Sequence, residues 1–167
     1  MLECTGQQMS QFGRIGARNQ MTNRTFRPYR ASDRQACIDI FDANCPQYFA
    51  PNERQDYDDF LAKSPQEYEV CESDGRVLGA FGLSAHNEKE ETLNWILLDP
   101  ETQGMGVGSE IMHRVIHRCR SSEITTVKIA ASHKSAPFFA HFGAATISTT
   151  KDGWGPGMGR VDMELLI

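Results

Sequence analysis

The sequence predicts an α/β (α+β) fold. We expect a mixed, mostly antiparallel sheet of six to seven strands, one parallel pair at its centre, and helices on both faces. Three observations predict it. β-rich runs come in pairs around turn residues, at "YEVCESDGRVLGAFGLS" (68–84) and again over 144–167, which is the pattern of antiparallel hairpins. The segment 92–132 reads strand, glycine turn, helix, strand, and such a crossover is right-handed and makes its two strands parallel. The 167 residues, 40% apolar and 23% charged, supply one core and not two.

The elements follow in order. Residues 1–24 are polar and Gln-rich, without a secretory-type apolar stretch; we expect a flexible extension, with Met21 as an alternative start, ahead of a single domain over 25–167. "TFRPYR" (25–30) is a short strand. "ASDRQACIDIFDANCP" is a helix opened by a capping box at Ser32-x-x-Gln35 and ended by Pro46. "PNERQDYDDFLAKSP" (51–65) is a second helix, capped by Asn52. A hairpin turns at Ser73-Asp74-Gly75. "TLNWILLD" lacks clean alternation and reads as a strand buried on both faces. "SEIMHRVIHRCR" is a helix with Val107, Ile111, Met112, Val115, Ile116 and Cys119 on its buried stripe. The strand 124–132, the short helix "SAPFFAHFG" and a final strand pair complete the chain.

The glycine turn "QGMGVGS" (103–109) carries the chemistry. A helix N-terminus has unpaired N–H groups and a partial positive charge. Gly104, Gly106 and Gly108 remove the side chains that would bar a ligand from them, and Ser109 adds a hydroxyl. This reads as a cradle for pyrophosphate, the alternative being a tight strand-to-helix turn that needs its glycines only for positive φ. It is not a P-loop, which needs a lysine, and its G-x-G-x-G spacing differs from the dinucleotide G-x-G-x-x-G.

Gln103-Gly104-Met105-Gly106-Val107-Gly108 resembles the Q/R-x-x-G-x-G/A signature of the GNAT superfamily, the acyl-CoA-dependent N-acetyltransferases. "ILLDPETQGMGVG", "ASHKSAPFFAHFGA" and "RVDMELLI" are similar to that family's fourth strand and pyrophosphate loop, its later segment and its closing strand, so the resemblance covers about residues 25–167. It implies acetyl-CoA as co-substrate, without a metal, wedged between two splayed central strands. The pantetheine would pair with backbone near Leu97 and Leu98, and the pyrophosphate would sit on residues 103–109. Ser132 and Phe139 would complete the cofactor site. The family's tyrosine, which often protonates the leaving thiolate, falls on Phe139, which has no proton to give; either the thiolate leaves without one, water serves, or Ser132, Ser135 or His133 substitutes. The family's carboxylate on the fourth strand falls near Asn94, with Glu91 three residues earlier. Glu91, Asn94 and Ser135 are thus the candidate catalytic residues. Tyr48, Phe49, Glu53 and Trp154 stand in the loops that would line the acceptor site.

The implied reaction is acetyl transfer to a primary amine of a small molecule or peptide by direct attack on the thioester. A catalytically silent acyl-CoA-binding module is the alternative, and a phosphate-binding domain unrelated to CoA is a third. The net charge of −5 argues against nucleic-acid or anionic-membrane partners. Seven acids against two arginines over 33–59 would suit a cationic acceptor. His113 and His117 are spaced for a metal but have no recognisable third ligand. Five irregularly spaced cysteines read as reduced thiols in a cytoplasmic protein, a monomer or homodimer.

Overall fold

The computed structural model describes residues 23–167; most of the expected extension lies outside the described residues. The strands are β1 (Thr25–Pro28), β2 (Tyr68–Ser73), β3 (Arg76–Ala85), β4 (Glu90–Leu98), β5 (Thr126–Ser132), β6 (Ala145–Gly155) and β7 (Met158–Leu166). The helices are α1 (Arg34–Asn44), α2 (Glu53–Ala62), α3 (Val107–Ser121) and α4 (Ala136–His141). They form one seven-stranded sheet in the order β1-β2-β3-β4-β5-β7-β6. Every neighbour is antiparallel except β4 and β5, the pair joined through α3. This is the predicted architecture.

Each helix pair covers one face. Ile111, Met112, Val115 and Cys119 of α3, with Phe139 of α4, pack on Leu78, Phe81, Leu83 and Leu93. Cys37, Ile40 and Phe41 of α1, with Tyr57 and Leu61 of α2, pack on Val70, Ala80 and Leu97. The 3.6-residue stripes therefore face the sheet from both sides. The β2–β3 turn has both Asp74 and Gly75 at positive φ, as a two-residue hairpin turn requires.

Two helix starts differ from expectation. Ser32 is exposed. Asp33 instead accepts the Arg30 N–H at 2.8 Å and pairs with Arg27, and the Arg27 guanidinium holds its carboxyl below the usual range. At α2, Asn52 makes no side-chain cap bond. Glu53 accepts the Ala50 N–H at 2.7 Å and donates its own N–H to the Ala50 carbonyl at 3.0 Å, a reciprocal pair over one loop.

The centre of the sheet determines the site. β4 and β5 pair only over Glu90–Leu93 and Thr126–Ile129. Beyond that, β4 stays with β3 and β5 stays with β7, and the two part from each other. Just past the last pair, β4 carries a bulge. Ala80 faces Leu97 and Gly82 faces Asn94, so Phe81 alone stands opposite Trp95 and Ile96. Trp95 has φ +42°, rare for a bulky residue and a mark of local strain.

Candidate active site

The open end of the β4/β5 split meets the glycine turn. Gly104 and Gly106 adopt φ +77° and +84°, and a Cβ at Gly104 would meet nothing within 4 Å. Gly108 differs. It is buried, and a Cβ there would stand 3.0 Å from Leu98 Cδ1 and 3.1 Å from the Phe138 ring. The third glycine lets β4 and α4 close on α3; it does not open a path to the backbone. Among the described residues, no backbone acceptor meets the N–H groups of Gly104, Gly106, Val107, Gly108 or Ser109. Those of Gln103 and Met105 are committed to Pro100 O and Thr102 O, so the cradle is narrower than 103–109. Arg24, assigned on sequence to the extension, is seated on the turn. Its guanidinium donates to Met105 O at 2.6 Å and pairs with Glu110 in the first turn of α3.

The strand backbone supplies the second component. Asp99 N–H donates to Leu78 O, which puts residues 97 and 99 in the β3 ladder and turns 96 and 98 the other way, into the split. Leu97, a predicted contact, therefore faces β3 with its backbone and α1 and α2 with its side chain. Leu98 does face the gap, and its carbonyl accepts from Asn44 Nδ2 at 2.8 Å.

Two loops reach the margins of the split. Phe49 is half-buried, its ring 5.0 Å from Phe41 and 6.4 Å from Trp95. Trp154, at the β6–β7 tip, donates from Nε1 to Ala131 O and accepts from Asn52 Nδ2, both at 3.0 Å. The Arg160 guanidinium stacks 4.8 Å from its ring. Tyr48, next to Phe49 in the chain, is half-buried. Phe49 thus stands beside the β4 bulge and Trp154 beside the end of β5.

A model of the acetyltransferase (GNAT) family matches residues 37–144. The chain belongs to that family. Within it, an uncharacterised N-acetyltransferase, ycf52, of Porphyra purpurea is 28% identical over 72 residues, 43% of this chain and 41% of that protein. The match thus spans about two fifths of the relative's length. Ard1 from Thermoplasma volcanium superposes with a TM-score of 0.73 at 18% identity, covering 86% of this chain and 97% of that one. YncA from Salmonella typhimurium, solved with acetyl-CoA, gives 0.63 at 15%, covering 87% and 94%. At these identities the two structures speak to the fold, and the fold is that of the GNAT acetyltransferases.

The remaining candidate residues of this chain are dispersed around the split. Glu91 lies where β4 and β5 are still paired. Its carboxylate faces the last turns of α3, 3.7 Å from Cys119 Sγ and 3.9 Å from Arg118. Phe139 is 3% exposed and part of the α3-side core; Phe138 is the ring at the glycine turn. Glu53 is buried and capped inside its loop, and burial pushes its carboxyl up. Of the other acids over 33–59, Asp33, Asp42 and Asp58 pair with arginines. Asp39 and Asp59 accept from glutamines one turn away. Asn94 donates to Ser84 Oγ at 2.7 Å at the mouth of the split. Ser132 and Ser135 form a closed pair, Oγ to Oγ 3.0 Å, between the end of β5 and α4.

Sequence reasoning missed Arg24, Asn44, Tyr68 and Ile96. Of these, Tyr68 alone left a signal. Gly79 and Gly82 inside a strand indicate close approach by a neighbour. A Cβ at Gly82 would stand 2.7 Å from the Tyr68 ring.

Proposed function

We propose that this protein transfers the acetyl group of acetyl-CoA to a primary amine of a small molecule or peptide. The observation that carries the reading is the split between β4 and β5, which ends on the N–H groups of Gly104, Gly106, Val107 and Ser109, unpaired among the described residues. These groups suit a pyrophosphate. The backbone of Leu98 suits an amide-containing arm running along β4. Acetyl-CoA supplies an activated acyl carbon on a thioester.

The chain's own residues then have three tasks. A lysine-like amine is almost wholly protonated at neutral pH, and Asn94 offers a place for the water that takes its proton. With Nδ2 committed to Ser84, its Oδ1 is left to accept. A backbone N–H of β4 at the bulge polarises the thioester carbonyl. The amine nitrogen attacks the acyl carbon, the C–S bond breaks with its electron pair on sulfur, and the proton the new amide nitrogen sheds passes to that thiolate, with Ser135 our candidate to relay it. Tyr48, Phe49 and Trp154 line the acceptor's approach. The four cysteines among the described residues are free thiols, which supports a reducing compartment such as the cytoplasm.

A silent acyl-CoA-binding module is the second reading. Phe139, without a proton to donate, and Glu91, engaged on α3, favour it. Calorimetry with acetyl-CoA and thiol release across a panel of amines test both. Binding with release in at least one amine supports the transferase. Binding without release in any supports the module. No binding, in a folded protein, removes both.

A further inference from the structure

A chain of buried hydroxyls ends on the β4 bulge. The Tyr68 hydroxyl donates to the Trp95 carbonyl at 2.7 Å, and the Tyr57 hydroxyl lies 2.8 Å from that of Tyr68. Both rings are 0% exposed. The proton directions follow from counting. A phenol has one proton, and Trp95 O can only accept, so Tyr68 donates to Trp95 and must accept from Tyr57. Cys37 is buried in the same cluster as Tyr57. Burial pushes both phenols well above their ordinary range, so neither loses its proton at any ordinary pH.

The reach of Tyr68 is unusual. It stands on β2 and bonds to β4, across the whole width of β3. Gly82 makes this possible, since any Cβ there would collide with the Tyr68 ring at 2.7 Å. The bonded carbonyl belongs to the strained residue, Trp95, at φ +42°. Strain of this kind persists where surrounding contacts enforce it.

The consequence falls on the next atom. Trp95 C=O and Ile96 N–H share one planar trans peptide and point in opposite directions. Tyr68 holds the carbonyl toward the β2 side. The Ile96 N–H is thereby aimed away from it, toward β5, where the strands have already parted. Phe81 is shared by the two bulge residues, and pairing with β5 ended at Leu93.

We propose that Tyr68 is a positioning residue: by gripping the Trp95 carbonyl it aims the Ile96 N–H at the thioester oxygen. Gly82 makes room for its ring. This rests on the acetyltransferase reading above. It adds which N–H polarises the carbonyl and what directs it.

Two measurements test it. The first compares Tyr68→Phe with Tyr57→Phe. Each removes one buried hydroxyl, but only the first breaks the bond to Trp95. With the best amine from the panel, Tyr68→Phe should lower kcat about tenfold or more, since loss of a whole oxyanion donor costs about 10²–10³. KM for acetyl-CoA and the calorimetric Kd for CoA should stay within about twofold. Tyr57→Phe should hold kcat within about threefold even if it lowers Tm as much. Equal kcat losses in the two variants, or none in Tyr68→Phe, overturn the proposal. The second measurement uses the wild type and does not depend on any variant folding. The Ile96 amide proton should move downfield with acetyl-CoA and much less with CoA, which lacks the carbonyl. Equal responses to the two overturn the proposal. Absence of binding by both would instead count against the cofactor reading beneath it.

Discussion

Removing the Arg24 guanidinium should weaken CoA binding through the charge it leaves behind. Arg24 pairs with Glu110, and its Nη1 lies 4.0 Å from where a Cβ of Gly106 would stand. Adding a hydrogen-bond length of about 3 Å puts the Glu110 carboxylate within roughly 7 Å of the turn. Two like unit charges at that separation repel by about 0.6 kcal/mol in water and about 2.4 kcal/mol at an effective dielectric near 20. The Glu110 side chain is 45% exposed, so the lower part of that range applies, about 0.6–1.4 kcal/mol. Arg24→Ala should therefore raise the calorimetric Kd for CoA about three- to tenfold. Arg24→Ala combined with Glu110→Gln should recover most of the loss, because the uncompensated carboxylate is gone. The effect should shrink toward 1 M salt, where the Debye length falls to about 3 Å. An unchanged Kd in Arg24→Ala, or a loss that Glu110→Gln leaves untouched, would refute the electrostatic account.

Three further outcomes are expected. Gly108→Ala, whose new methyl would press on Leu98 and Phe138, should cost stability by about 1–3 kcal/mol, seen as a lower midpoint in urea. The survivor should bind CoA more nearly normally than Gly106→Val does, and the reverse ranking would return Gly108 to the cradle. Glu53→Gln should stabilise the protein at neutral pH. Burial raises the folded-state pKa of Glu53, so its favourable contribution is complete below the unfolded value of about 4.3 and is lost as pH rises through the folded one. The Tm gap between variant and wild type should be widest near pH 7 and narrow toward pH 4; a gap that ignores pH would contradict the assignment. Phe139→Tyr should bury a hydroxyl without a partner at a cost of about 1–3 kcal/mol, lowering Tm with CoA affinity unchanged. A gain in turnover there would show that the ring reaches the thioester after all.

The element order was legible because each piece rests on local chemistry. The α3 stripe from Val107 to Cys119 and the turn residues Asp74 and Gly75 have meanings that depend on a few neighbours. The glycine turn was legible for the same reason, since a helix start needs nothing distant to leave its N–H groups free. What escaped is what distant residues decide. Gly108 looks like Gly104 and Gly106 until Leu98 and Phe138 arrive from other elements. Phe138 and Phe139 are adjacent on a helix of six residues, and tertiary packing alone decides which meets the turn and which the core. Glu53 reads as a loop acid available to substrate, but its loop folds back and uses it as a cap. The bulge at Trp95 depends on a tyrosine that reaches across β3 from another strand, and no local pattern in "TLNWILLD" announces it.

The short pairing of β4 with β5 has a mechanical consequence. Four residue pairs are all that join β1–β4 to β5, β7 and β6 through the sheet ladder. The sheet is two wings on one narrow hinge, and the missing rungs lie where an extended ligand would run. A ligand bonded to both wings would act as a keystone. By mass action, one that binds only the folded state adds about 2.7 kcal/mol at a hundred times its Kd. Amide hydrogen exchange should report this most strongly at residues 94–98 and 130–132, the free margins of the two wings, and least at the shared hinge.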